Sequence, residues 1–285
     1  MSSHPNGPTS TVRIGSVSVG RFLIGHNPPS GNSHISAEVD AAMRAYFNDR
    51  TVPALYRQAE ELGLRTIMIR GDYRMLDWVE LYRRAGGTMN VVGQTASEMH
   101  DIFANIRVMA AAGVEAIYHH GTQTDKFWRE GRIDDCRDYL QCMRDCGVAV
   151  GLGTHQPEII DHAQQNGWDV DFYVASFYNL SRVPRESSAV TGRKAYDIEV
   201  YDDADRERMC EMILAVDKPV LAFKILGAGR KCGSQEQVAE AFRYAYSHIK
   251  PSDAVVVGVF GRDADELALD VGYARDACRG AGEPV

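Results

Sequence analysis

Eight polar residues stand where a short aliphatic or β-branched run gives way to a loop: His26, Arg70, Gln94, His120, His155, Tyr178, Lys224 and Arg262. Three are imidazoles, the side chains whose ordinary pKa lies nearest neutrality, and so suit proton transfer. Lys224 ends the apolar run Pro219-Val-Leu-Ala-Phe, which no solvated surface lysine would do. In that place it either pairs with an anion or serves, desolvated, as a base or Schiff-base amine. Arg70 has the planar fork that clamps a carboxylate, or pairs with the nearby Asp72. Gly227, Gly229, Arg230 and Lys231, taken with Arg262, fit a phosphate loop: glycines let backbone amides approach an anion and arginine adds its fork. Cys232 lies in the same Gly-rich stretch and is a candidate functional thiol. His120, His155 and one of His26 and His34, with Asp72 as oxygen ligand, make a candidate set for a divalent metal.

Bringing such scattered residues together requires a fold whose strand ends converge. Eight short, nearly continuous apolar runs read as strands: Arg21–Gly25, Thr66–Arg70, Met89–Gln94, Ala116–His120, Ala149–Thr154, Phe172–Ser176, Val220–Lys224 and Ala254–Phe260. Continuous apolarity is expected of parallel strands covered on both faces. Helical patterns lie between them over Val52–Leu62, Met75–Ala85, Met99–Ala112, Ile133–Cys146, Pro157–Asn166 and Asp263–Arg279. The first five are followed by Gly63, Gly86, Gly113, Gly147 and Gly167, the residue type favoured after a helix end. Strict alternation of eight strands with helices predicts a single-domain α/β (β/α)₈ TIM barrel over residues 1–285. An open dinucleotide-binding sheet would show G-x-G-x-x-G after its first strand, and Gly25-His-Asn-Pro-Pro29 does not supply it. On alternation, His119 faces the helix layer while His120 faces the rim. Two long insertions, 26–51 and 177–206, follow strands one and six, where this fold carries specificity loops and lids. The segment Thr122–Arg132, with Trp128, reads as a loop framing the pocket.

A net charge of -8 excludes a basic nucleic-acid surface. No apolar run approaches the ~18 residues of a spanning helix, so no membrane partner is expected. Residues 1–11, polar and rich in Ser, Pro and Gly, read as a flexible N-terminus without a signal peptide. The six cysteines lack CxxC pairing and read as thiols in a reducing cytoplasm.

The second half resembles the aldo/keto reductase superfamily. The similarity lies in Ala116-Ile-Tyr-His-His120-Gly121, Val150-Gly-Leu-Gly-Thr154-His155, Asp171 to Tyr178-Asn179-Leu180, Leu221-Ala-Phe-Lys224-Ile-Leu-Gly227-Ala-Gly229, and Val257-Gly-Val-Phe-Gly261-Arg262 followed by Glu266. The resemblance implies an NADP(H)-linked oxidoreductase acting on a carbonyl or imine. It places His120 in the catalytic set. It implies that Tyr178 stacks on the nicotinamide, with Asn179, Gly227, Gly229 and Arg230 on the cofactor side and Gly261 and Arg262 at the nucleotide phosphate. The first half departs from the family. Ile69-Arg70-Gly71-Asp72-Tyr73 stands where the family has its catalytic Asp and, further on, its Tyr, leaving Asp72 and Tyr73 as displaced substitutes. Gln94 stands where the family has its Lys. Without Lys and Asp beside it, a Tyr near its reference pKa of roughly 10 is a poorer acid.

Two enzyme readings therefore stand: an NADP(H)-linked oxidoreductase with a non-standard catalytic set, and a non-redox lyase, isomerase or hydrolase using His120, His155 and Lys224, with or without a divalent metal. A ligand-binding pseudo-enzyme is a third class, weakened by the number of ionisable rim residues. In each case the expected partner is a small molecule, an anionic one if Arg70 and Lys224 bind it.

Overall fold

The computed structural model describes residues 11–184, 191 and 196–280. Most of the N-terminal stretch read as flexible lies outside them, as do Arg185, Arg193 and Lys194 of the second insertion.

Two short strands, β1 (Thr11–Ile14) and β2 (Val17–Gly20), form an antiparallel hairpin. Sequence reading missed this hairpin because its four-residue strands carry no long apolar run. Then follow β3 (Phe22–Gly25), α1 (Ala37–Tyr46), α2 (Thr51–Glu61), β4 (Thr66–Arg70), α3 (Tyr73–Arg84), β5 (Asn90–Gln94), α4 (Ile102–Ala111) and β6 (Ala116–His119). The chain continues with α5 (Gly121–Arg129), α6 (Cys136–Asp145), β7 (Ala149–Thr154), α7 (Pro157–Gln165), β8 (Phe172–Ser176) and α8 (Asp203–Ala215). It ends with β9 (Val220–Phe223), α9 (Gln235–Ser247), β10 (Ala254–Gly258) and α10 (Glu266–Gly280). Strands β3 to β10 close into a parallel barrel, with β10 pairing back onto β3 through Val256 and Leu23. The (β/α)₈ barrel expected from the sequence is thus the observed fold.

The two faces of each strand bury different layers. Phe22, Ile24, Ile67, Ile69, Val91 and Ile117 pack outward on the helices. Leu23, Met68, Val92, Ala116, Tyr118 and Phe172 point into the barrel, where Val12, Ile14, Val17 and Val19 of the hairpin join them. The hairpin thereby plugs the barrel at the end opposite the active rim, and chemistry is confined to the other end. Gly151 is required by this interior: a Cβ there would lie 2.4 Å from the Phe172 ring and 2.7 Å from Tyr118 Cβ.

Helix starts are set locally. Ser36, Asp72, Asp101, Asp202 and Ser234 cap α1, α3, α4, α8 and α9 through side-chain oxygens that accept backbone N–H groups, each worth about 1 kcal/mol. The glycines predicted to end helices take positive φ, as at Gly113 and Gly147, both 75°. Several boundaries differ from the sequence reading. Lys224 lies beyond β9 with φ 63°, and His120 lies beyond β6 as the N-cap of α5. The segment Thr122–Arg132, read as a loop, is mostly α5, a nine-residue helix whose large apolar residues are confined to Phe127 and Trp128.

Candidate active site

Strand parity delivers the rim residues. Arg70 and Gln94 share their face with Met68 and Val92, which point into the barrel. A polar chamber of about 260 Å³ opens there, lined among others by His26, Arg70, Gln94, His120, His155 and Lys224. Six of the eight strand-end residues thus converge. Tyr178 and Arg262 do not line it.

His155 is 5% exposed, and its Nδ1 meets Asp125 Oδ2 at 2.7 Å. Asp125 also accepts from Thr154 Oγ1 (2.6 Å) and Ser181 Oγ (2.5 Å). Burial would raise the Asp125 carboxyl, but the His155 imidazole and these hydrogen bonds outweigh it and hold the group below the usual carboxylate range. Asp125 is thus an anion that accepts from His155 Nδ1 and fixes the orientation of the ring. The sequence reading missed Asp125, since it lies in the segment read as a loop framing the pocket.

His120 takes a second hydrogen-bonded position. Its Nδ1 meets Ser97 Oγ, and its backbone N–H donates to Thr95 Oγ1 at 3.0 Å. Burial, reinforced by His155 and Arg70, pushes its pKa well below the usual imidazole value, so the ring is neutral at pH 7. His26 is also neutral: burial and Arg70 lower it to about 3. Gln94 Oε1 accepts from His26 Nε2 (3.0 Å) and from the Tyr118 hydroxyl (2.9 Å), tying the two rings across the barrel mouth. His26 Nδ1 is then a buried acceptor with no hydrogen-bond partner among the described residues. Tyr118 was also missed, although alternation with the outward His119 would have placed it inside. His119 itself faces the helix layer as alternation predicts, stacked on Tyr139 at 5.2 Å.

Two cations complete the chamber. Arg70 pairs with Glu98, and its Nε lies 3.7 Å from Asp72 Oδ2. Lys224 holds a left-handed backbone, a costly state for a lysine that clusters at functional sites, and its Nζ lies 5.9 Å from the Phe223 ring centre.

The other predicted site residues fall elsewhere. Asp72 caps α3, and Tyr73 is 62% exposed on that helix; neither lines the chamber, so they do not stand in for a catalytic Asp and Tyr there. Tyr178 is 1% exposed, its hydroxyl 3.2 Å from Asp203 and its ring 5.2 Å from Tyr201. Asn179 is used locally, accepting from Ser181 N at 3.0 Å. Gly227 turns the chain at φ 57°. Arg230 stacks on Tyr201 and donates to His34 O at 3.2 Å. Arg262 is exposed and paired with Asp263, while Gly261 accepts from the Tyr46 hydroxyl. Of Gly227, Gly229, Arg230, Lys231 and Arg262, Gly229 lines a second cavity, which the other four do not.

That cavity is a groove of about 400 Å³ running from the chamber between β9, β10 and the first insertion. It shares His26, Gln94, Tyr118, Phe223 and Lys224 with the chamber. The insertions meet above it, where His34 Nδ1 contacts Glu199 at 2.8 Å and the Tyr196 hydroxyl donates to Asp40. Among the described residues no three His, Cys, Asp or Glu side chains are grouped to hold a metal ion, so the expected metal set is not brought together. His120 and His155 instead commit a ring nitrogen to Ser97 and Asp125.

No family model and no curated protein matches the chain. Solved structures match across nearly its whole length. N-acetylmannosamine-6-phosphate 2-epimerase from Clostridium perfringens aligns with TM-score 0.53 at 10% identity, over 88% of this chain and 90% of that one. A truncated 3-deoxy-D-arabino-heptulosonate 7-phosphate synthase from Thermotoga maritima aligns with TM-score 0.53 at 15% identity, over 99% and 96%. Gox0644 in its apo form aligns with TM-score 0.57 at 10% identity, over 97% and 96%. At these identities the likeness is one of fold, so the chain is a (β/α)₈ barrel whose chemistry must be argued from its own chamber.

Proposed function

We propose that the chamber carries out proton transfer on a small anionic carbonyl or hydroxy compound, as an isomerase or lyase. The observation that carries this reading is the Asp125–His155 pair at 2.7 Å, facing a chamber that also holds His120, Arg70 and Lys224. His155 Nε2 takes a proton from the carbon next to the substrate carbonyl, and the C–H electron pair moves onto the carbonyl oxygen. The Asp125 carboxylate stabilises the imidazolium that forms. Lys224 faces the developing oxyanion, and Arg70 orients the substrate's anionic group. Where the deprotonated carbon carries a hydroxyl, the oxyanion is protonated, that hydroxyl gives up its proton and closes to a new carbonyl, and the former carbonyl carbon takes up a proton, which is isomerisation. Where a β-substituent leaves with its bonding pair as the oxyanion re-forms the carbonyl, the outcome is elimination. His120, neutral and set by Ser97, stands beside His155 to relay the proton. We place the protein in a reducing compartment such as the cytoplasm, in keeping with six free cysteines. No helix among the described residues is long and apolar enough to cross a membrane.

Solvent exchange tests this. Incubation in deuterated water with a panel of 2-oxo and 2-hydroxy carboxylates and their phosphates should wash deuterium into one substrate class, observed by NMR. His155→Ala should abolish the exchange. No exchange with any member of the panel would sink the reading.

A redox reading, NADP(H)-linked and similar to the aldo/keto reductases, has one specific support: the groove beside the chamber has room for a ring system. Against it, Tyr118 lies beside Gln94 rather than a cation, and burial pushes its hydroxyl pKa further up, so it is a weak proton donor to a carbonyl. The groove carries carboxyls where a nucleotide phosphate would need cations. Titration with NADPH, followed by fluorescence quenching, separates the readings: saturable quenching would favour redox chemistry.

A further inference from the structure

The groove has walls of Ile35, Val39, Met43, Leu226, Val238 and Leu269, a shape and polarity suited to an alkyl chain. Polar groups share the lining, His26, His34, Gln94, Lys224 and Glu266 among them, and one deeply buried carboxyl stands with them. Asp270, on the second turn of α10, lines the groove at 6% exposure. Its carboxyl makes no hydrogen bond or ion pair among the described residues. A buried carboxyl without a protein partner is costly, because residual solvent contact through the groove replaces only part of its lost solvation. The groups around it do not relieve that cost. Glu266 at the groove mouth is a second carboxyl, and one of its oxygens accepts from Phe260 N at 2.8 Å. Cys232 and Gln235 bring a thiol and an amide to the same lining, and Lys224 belongs to the wall shared with the chamber.

We propose that the groove receives an organic cation, a primary ammonium or guanidinium on an alkyl tail, with Asp270 as its counter-ion. The proposal rests on the reading above: the tail belongs to the substrate whose anionic head Arg70 and Lys224 hold in the chamber. The substrate class is therefore a zwitterion with its charges separated by an aliphatic spacer. The anion is recognised on the β4 side of the shared wall and the cation on the α10 side. Burial, with Glu266 nearby, raises the empty Asp270 carboxyl to about 8, so it is mostly protonated at pH 7. Pairing with a cation ionises it. Binding then releases close to one proton per site, a signature that plain apolar contact would lack.

The probes are a homologous series of linear ω-amino carboxylates, the matching alkyl carboxylates without the amine, and the matching alkylamines. Binding to the full chain is followed by calorimetry at pH 7 in two buffers of different ionisation enthalpy. One chain length should bind at least about tenfold tighter than its amine-free partner and should release a proton. Asp270→Asn should remove that preference and the proton release while keeping affinity for the plain carboxylate. Asp270→Leu, which fills the site with apolar volume, should do the same, so that a folding defect in one variant leaves the test intact. The proposal is overturned if the amine adds nothing at any length, if the preference survives in both variants, or if NADPH displaces the probes. Its failure is distinct from that of the reading it rests on. Plain carboxylates that bind and depend on Lys224, with no gain from the amine, sink the groove alone. Asp270-dependent amine binding with no contribution from Arg70 or Lys224 sinks the chamber reading instead.

Discussion

On one side of the wall formed by Gln94, Tyr118 and Lys224, polar groups meet polar partners: His155 has Asp125, His120 has Ser97, His26 has Gln94 and Arg70 has Glu98. On the other side, apolar residues make up much of the groove, and its one deeply buried carboxyl, Asp270, has no hydrogen-bond or ion-pair partner among the described residues. Both regions lie at the same barrel rim and both contain buried ionisable groups. The difference lies in what holds those groups. Partnered side chains have fixed tautomers and orientations before any ligand arrives, which is what transition-state stabilisation demands. An unpartnered carboxyl in an apolar groove is a standing cost that a cation of matching shape would relieve. On the readings proposed above, the chamber is the place of chemistry and the groove the place of recognition.

The most severe break of that contrast is at the dyad. Asp125→Asn leaves the shape intact but removes the anion behind His155, and His155→Ala removes the base. Each should reduce solvent exchange by about 10²- to 10⁴-fold, while affinity for the anion changes little. Lys224→Ala and Arg70→Ala come next, each weakening carboxylate binding by about tenfold to a hundredfold in calorimetry.

Stability against pH separates the two regions by sign. His26 and His120 have folded pKa values below their unfolded ones, so the unfolded chain takes up their protons first. Their contribution is fully present above about pH 6.5 and declines as pH falls from there toward about 3 for His26. Chemical denaturation between pH 7 and 4 should show this loss, and His26→Asn should reduce its slope. Asp270 has a raised folded pKa, so its contribution declines as pH rises from the ordinary value of 3.8 through about 8. Asp270→Asn should therefore raise the melting temperature at pH 8 to 9 and change it little at pH 4. Arg262→Ala serves as the smallest case: the side chain is exposed and paired only with its neighbour Asp263, so melting temperature and probe binding should stay as in the parent.

The barrel was legible because its signal is repeated. Eight apolar runs and their glycine stops each reflect a local rule, and one misplaced boundary does not alter the sum. The convergence of His26, Arg70, Gln94, His120, His155 and Lys224 was legible for the same reason, since strand ends in a closed barrel share a rim. The contacts of the residues that the resemblance sets on a cofactor side were not. Tyr178, Asn179, Gly227, Arg230 and Arg262 have the right types in the right order, yet each is spent on a local contact with Asp203, Ser181, a turn, Tyr201 or Asp263.

The sequence by itself determined the periodicities, the helix stops and the parity that sends His119 outward and Tyr118 inward, because these depend on neighbours a few residues away. Tertiary structure alone decided the pairings. Asp125 reaches His155 across 30 positions, Gln94 reaches His26 across 68, and Asp270 comes to the groove on the helix that follows β10 with no partner among the described residues. Such contacts depend on where closure of the barrel carries each side chain, and no local pattern in the chain records that position.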